Sequence, residues 1–422
     1  MAGRFVRVET RRRARGFLFG LLADLPRKNC WTIAEHAGDS DPHGMQHFLG
    51  RASWDTDGVR DDLRDYVTTH LGDADAVLVV DETGDLKKGT CTVGVQRQYT
   101  GTAGRIENAQ VAVYLAYAGA RGHAMIDREV YLPKSWTSDP ERCAVAGVPE
   151  DIEFMTKPAL AAGMICRALD ADVPARWVAG DEVYGADPAL RAELETRRVG
   201  YVLAIGCDRR VPTAAGSIRA DLLTAGLPRR AWRRLSAGPG AKGQRYYDWA
   251  LITLAPPEDT SSDDTSSDDT ATACWWLLVR RHRGNGELAF YRCYSPELVP
   301  LRELVRVAGR RWTVEESFQA GKGLAGLNEH QVRTWTSWQR WTLLAMTAHA
   351  LLAIIAANEH IDRPAPAGLI ALTCNEIRRL FTIFVIEPGR TLTCPKTCSD
   401  WRRRHQHRAR ASHYQRQDAA LA

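Results

Sequence analysis

Apolar positions divide this chain into stretches of different period. Up to residue 70 they recur with helical spacing. Phe17, Leu18, Leu21, Leu22 and Leu25 follow a run of arginines and stop at Pro26; Trp31, Ile33, Ala34 and Ala37 form a second set ending at Gly38. Asp41-Pro42 reads as a cap and first-turn proline opening a third helix through Met45, Phe48 and Leu49. Two short helices around a glycine-containing turn fit a helix-turn-helix, although most such pairs are plain packing. From residue 76 the period changes. Residues 76–80 are a continuous apolar, β-branched run ending at Asp81, and 93–99, 110–117 and 123–132 predict further extended segments. A helix over 157–172, a strand over 176–179, a helix over 187–198 and a strand over 201–205 follow. This order predicts an α/β core that mixes antiparallel hairpins with a parallel crossover.

Beyond Gly206 the pattern becomes irregular, with strands predicted at 246–254, 274–281 and 288–294. Residues 258–270 repeat Asp-Thr-Ser-Ser-Asp and hold six acids without a base, which predicts a disordered loop. Helices resume at 301–321, 342–357 and 376–384. The expected organisation is a helical DNA-binding region (1–72), the first part of the core (73–206), a β-rich insertion (207–295), the rest of the core (296–330), then C-terminal helices with a basic tail (331–422). The longest apolar stretch, 342–357, is interrupted by Thr347 and His349, so no membrane span is expected. No signal peptide is apparent, and ten cysteines without a CxxC pair fit reduced thiols; a cytoplasmic, nucleoid-associated protein is expected.

Net charge is +5, and its placement says more than its sum. Residues 1–30 carry +6 and 401–422 carry +5, the latter from Arg402, Arg403, Arg404, Arg408, Arg410 and Arg416 against Asp418; the middle is −6, a deficit matched by the acidic loop. Two basic ends suggest a polyanion gripped at the periphery, because clustered arginine displaces counterions from phosphates.

Three acids stand out by position. Asp81 ends the first strand, Asp181 ends a later one, and Glu315 lies in a predicted helix. Glu82, Glu182 and Glu316 adjoin them, but consecutive strand residues face opposite ways, and the aspartates directly follow the apolar runs. An α/β, ribonuclease H-like mixed sheet with a β-rich insertion, flanked by helical N- and C-terminal regions, makes the first and fourth strands neighbours. Asp81 and Asp181 then come within reach of one pair of metal ions. Two Mg²⁺ ions held by such carboxylates activate an attacking oxygen and stabilise the leaving one in phosphoryl transfer. Arg311 and Lys322, four residues before and seven after Glu315, share its helix face and are placed to orient phosphate.

The stretches Asp81-Glu-Thr-Gly-Asp-Leu-Lys-Lys-Gly89 and Gly94-Val-Gln-Arg-Gln-Tyr-Thr-Gly-Thr-Ala-Gly-Arg-Ile-Glu-Asn108 resemble the first catalytic region of insertion-sequence-701-type transposases. Tyr131-Leu-Pro-Lys-Ser-Trp136, Asp181-Glu-Val-Tyr-Gly185 and Arg311-Trp-Thr-Val-Glu315 match the same family in order. The resemblance implies a DDE transposase with Asp81, Asp181 and Glu315 as ligands of two Mg²⁺ ions, Mn²⁺ being an acceptable substitute. Its partners would be the element's terminal inverted repeats and target DNA, bound by a homodimer on paired ends. The family's Tyr-x-x-Arg-x-x-x-Glu signature is kept at Arg311, Glu315 and Lys322 but has Ala308 at the tyrosine. Lys87, Lys88, Arg97, Arg105 and Lys134 fall in the matched blocks as candidate DNA contacts, joined by Arg402, Arg403 and Arg404. Trp275 and Trp276 are candidates for stacking on a flipped base. The alternative is a non-catalytic DNA-binding remnant or regulator of such an element.

Overall fold

The computed structural model describes residues 1–39, 41–240, 243–256, 273–388 and 395–419, apart from the side chains of 395–402, 405 and 417–419. The predicted acidic loop, 258–270, lies outside them. The strands are β1 Val77–Leu86, β2 Gln96–Thr100, β3 Arg105–Ala118, β4 His123–Val130, β5 Trp177–Gly180, β6 Gly200–Ile205, β7 Arg210–Thr213, β8 Gly216–Arg219, β9 Arg233–Gly240, β10 Gly243–Thr253, β11 Cys274–Arg281 and β12 Leu288–Ser295. The chain forms two compact units: Met1–Gly72, Glu82–Met155 and Val314–Ala422 make the first, and Asp73–Asp81 with Thr156–Thr313 the second. Strand β1 contributes to both.

In the first unit, the four N-terminal helices Val8–Leu22, Cys30–His36, His43–Gly50 and Thr56–Leu71 bury Phe17, Leu21, Ile33, Phe48, Leu63 and Val67. Their ends are set by side chains: Asn29 forms a capping box with Thr32, and Asp55 accepts from Gly58 N at 2.8 Å. The helices gather on Trp335–Asp362, whose Trp341 meets Phe17 edge-on at 5.3 Å. That helix is long and apolar enough to cross a membrane, but 83% of its most apolar window is buried inside the protein. Apolar residues all round its surface are what a helix enclosed by neighbours requires. In the sheet of this unit β3 lies between β2 and β1 and also pairs with β4. Residues 109–118 of β3 are buried at every position, as expected where both faces are covered.

His349 sits within this core, and burial, aided by the charge of His123, pushes its pKa down to about 3. An unfolded imidazole takes up a proton near pH 6.5, so the unfolded state binds more protons as pH falls. Unfolding free energy should therefore drop on acidification below about pH 6 by up to about 1.4 kcal/mol per pH unit from this group. Denaturant titrations at several pH values should show His349→Gln with a shallower acid limb; parallel limbs would exclude His349 as the source.

In the second unit β1, β5 and β6 run parallel, and β12, β11, β10 and β9 continue the sheet antiparallel from β6. The strand order β4, β3, β1, β5, β6 is that of the ribonuclease H-like sheet. The β-rich stretch extends this sheet, since β12 pairs with β6 from Tyr201↔Tyr294 to Ile205↔Phe290. One expectation is corrected. The helix read over 301–321 is two helices, Leu301–Arg310 and Trp312–Ala325, with Arg311 at the break. The first of these lies so close to β9 that a Cβ on Gly309 would overlap Ala237 O.

Candidate active site

Strand β1 is buried from Val77 to Val80, and Asp81 is its first partly exposed residue. Parallel pairing with β5 runs Val77↔Trp177, Leu78↔Val178, Val79↔Ala179. Two further steps along each strand bring Asp81 level with Asp181. Neighbouring strands are about 4.8 Å apart, so continuing this register would put the two aspartates at neighbouring positions, at the carboxyl ends of adjacent parallel strands. Asp181 leaves the strand as the N-cap of a short helix, Glu182–Gly185, accepting from Val183 N at 2.8 Å. The glycines of Gly-Asp-Glu-Val-Tyr-Gly make that turn sterically feasible. A Cβ on Gly180 would meet Val80 and Tyr184 at 3.1 Å, and one on Gly185 would overlap Ala204 O of β6.

Arg311 Nη1 stands 3.5 Å from Asp81 Oδ2, with both side chains mostly buried. The Arg311 guanidinium also lies over the Trp312 ring at 5.1 Å, which orients it. A cation held beside one of two neighbouring carboxylates offsets their mutual repulsion. This places Arg311 beside Asp81 itself.

In the first unit, the helix Trp312–Ala325 buries Val314, Ser317 and Phe318 and turns Glu315 and Glu316 outward. Phe318 packs on Tyr114 at 5.4 Å, Ser317 hydrogen-bonds His123 at 2.8 Å, and His123 pairs with Glu316 at 3.3 Å. Lys322, two turns after Glu315, donates to Thr83 Oγ1 at 2.7 Å and reaches Thr102 Oγ1 at 3.4 Å. Thr83 is two residues beyond Asp81 on β1.

The other candidate cations separate into two groups. Lys88, Arg97, Arg105 and Lys134 are exposed; Arg105 pairs with Glu107 at 2.8 Å, and Lys134 lies over Phe154 at 5.1 Å. Lys87 is turned inward, donating to the main-chain oxygen of His330 at 3.2 Å, with Asp85 Oδ2 4.0 Å away. The tail is a helix, Pro395–Ala419: Arg404 is exposed, Arg403 Nε donates to Ile370 O at 2.7 Å, and the side chain of Arg402 lies outside the described residues. Trp275 and Trp276 are both buried, Trp275 against Tyr294 at 5.3 Å, so neither ring is presented to a base.

Two residues not singled out from sequence join this region. The buried His330 places Nε2 3.0 Å from Asp85 Oδ2. Burial alone would raise the Asp85 pKa, but the hydrogen bond from His330 and the charges of Lys87 and Lys322 outweigh it and hold the carboxyl below its ordinary value. Burial lowers His330 from the usual imidazole value, and it lowers both lysines from the usual ammonium value. The signal was in the sequence. Asp81, Thr83, Asp85 and Lys87 recur with period two, as one polar face of a strand would.

No group of three or more His, Cys, Asp or Glu side chains able to hold a metal ion stands together among the described residues. The donor chemistry of Asp81 and Asp181 still fits Mg²⁺, which binds through one or two carboxylates and takes water and substrate phosphate for the rest.

Residues 1–251 match the family model described as DDE superfamily endonuclease. Over 189 residues the chain is 31% identical to the probable transposase for insertion sequence element IS701 of Microchaete diplosiphon. That match covers 44% of this chain and 46% of the relative, so the chain spans about half the length of the curated relative it matches. Among solved structures, the piggyBac transposase synaptic complex with hairpin DNA aligns over 92% of this chain and 73% of its own, at 11% identity and a TM-score of 0.43.

Proposed function

Because the chain belongs to the DDE superfamily of endonucleases, we propose that it is the DNA transposase of an insertion sequence. It binds the terminal inverted repeats of its element, cleaves strands there and joins the freed 3′-OH to target DNA. The observation that carries this reading is the register of β1 on β5, which sets Asp81 level with Asp181 beside the Arg311 guanidinium.

In this reading Asp81, Asp181 and Glu315 hold Mg²⁺, with Mn²⁺ as a substitute. Bound there, the metal supplies activation of the attacking oxygen and neutralisation of charge on the leaving oxygen. The chain's own residues do the positioning. Arg311 offsets the repulsion between the aspartates and, oriented by Trp312, presents guanidinium N–H groups to phosphate. Lys322, fixed by Thr83, holds a second cation on the β1 strand that carries Asp81. In cleavage the oxygen of water bonds to phosphorus and the bond from phosphorus to the 3′ oxygen breaks, leaving a 3′-OH and a 5′-phosphate. In joining that 3′-OH attacks a target phosphate and displaces the target's own 3′ oxygen. Lys88, Arg97, Arg105, Lys134 and Arg404 are exposed and serve as phosphate contacts, and two copies act together, one on each element end.

A supercoiled plasmid carrying the element tests the reading. With purified protein and Mg²⁺, strand breaks should map to the element ends and should disappear in EDTA. End binding without breaks would instead identify a non-catalytic regulator, and breaks without preference for the ends a general nuclease.

A further inference from the structure

The middle of the chain, −6 overall, contains a concentrated basic segment. Residues 229–249 and 280–283 hold eight arginines and one lysine against a single acid, Asp248. The fold gathers the arginines at the edge of the second unit's sheet, where β9 is the outermost strand among the described residues. Register pairs Arg234 with Asp248 and Asp248 with Arg281, so these three side chains share one face across β9, β10 and β11. Tyr246, two residues before Asp248, lies on that face and is 46% exposed. The opposite face of β9 is taken up by packing: Trp249 is buried, and Arg245 donates to the carbonyls of Ala237 and Gly309, tying the helix Leu301–Arg310 to the sheet.

On the open face two of the cations lie over aromatic rings. Arg234 lies over the Tyr246 ring at 4.7 Å and Arg281 over the Trp232 ring at 4.1 Å. A guanidinium stacked in this way keeps its edge N–H groups directed outward and loses less freedom on binding a phosphate. Asp248 neutralises part of the cluster, pairing with Arg281 at 3.0 Å and Arg283 at 3.7 Å. Among the described residues Arg229, Arg230 and Arg234 have no ion-pair partner, and all three are exposed; Arg233, paired with Trp249, faces the other side.

We propose that this face of β9–β11, with the Arg229–Ala231 turn leading into it, is a contact surface for the phosphate backbone of duplex DNA, separate from the aspartate-bearing strand ends. It rests on the reading of the chain as a DNA-acting enzyme and adds a surface to it. Stacked guanidinium groups spaced along a sheet edge suit a row of phosphates. The rings beneath them serve as supports.

The test is binding of a random-sequence duplex of about 30 base pairs in EDTA across a salt series, comparing full-length Arg230→Gln/Arg234→Gln with Arg302→Gln/Arg363→Gln. Both pairs remove two exposed charges, the second pair from elements other than β9–β11. The first pair should weaken binding roughly ten- to a hundredfold near 0.1 M salt and flatten the log–log salt slope by about 1.8, whereas the second should stay within about twofold. Equal losses in both variants, or an unchanged slope in the first, would overturn the surface. A preference for oligo-dT abolished by Tyr246→Ala would overturn the backbone mode in favour of base stacking. Cleavage at element ends in Mg²⁺ is read separately: unaltered binding by a variant that still cuts defeats only this surface, and a wild type that never cuts defeats the catalytic reading.

Discussion

Asp81→Asn is expected to reduce strand cleavage at element ends by at least about 10³-fold, equivalent to about 4 kcal/mol of barrier, while end binding stays near the wild-type level. The change keeps the size of the side chain and removes one negative charge. That charge belongs to one of two aspartates that continuing the β1–β5 register would bring level, and it is the one Arg311 accompanies at 3.5 Å. Losing it weakens any divalent cation held there. The proposed phosphate contacts elsewhere are untouched, so binding should survive. A gel-shift assay run beside cleavage separates the two effects. Cleavage within tenfold of wild type would remove Asp81 from the chemistry.

Asp85→Ala is expected to destabilise the protein by about 3–5 kcal/mol, which is the cost of removing one partner from a buried charged cluster. Asp85 receives the His330 hydrogen bond at 3.0 Å and is the acid nearest Lys87 in this cluster, at 4.0 Å. Without it Lys87 remains inward-facing with no ion-pair partner among the described residues, and burial already lowers its pKa. Asp85→Asn, which keeps the shape and an acceptor oxygen, should cost less. The wild-type contribution of Asp85 is present above the usual carboxylate range, because its folded-state pKa is lowered, and it fades as pH falls through that lower value. Urea unfolding at neutral pH measures the difference. A loss under about 1 kcal/mol would mean that Lys87 finds solvent when its partner is removed.

The two aspartates were legible because each ends an apolar run, and the run fixes both strand and exit point. Glu315 was legible as a helical acid, but the break at Arg311 was not. It arises where Gly309 meets Ala237 of β9, and β9 itself reads as a loop, since Arg233–Gly240 is rich in Arg, Gly and Pro. Sheet pairing with β10 outweighs that local preference. The same limit applied to Lys87. Its neighbour Lys88 is exposed as a surface lysine should be, yet Lys87 is drawn inward by His330, 243 residues away in the chain. The tail shows the reverse. Highly charged and without an apolar period, it reads as a solvated end, and it forms the helix Pro395–Ala419 with Arg403 bonded to Ile370 O. Long-range pairing and local helix formation by arginine are both invisible to hydrophobic periodicity.

The central claim is that one set of acids serves both cleavage and joining. Supplying an element end already cut to expose its 3′-OH bypasses cleavage and isolates the joining step. With Mg²⁺ and a target plasmid, the wild type should produce joined molecules, and Asp181→Asn should bind the pre-cut end yet yield none. Joining by Asp181→Asn at a rate near wild type would contradict the account.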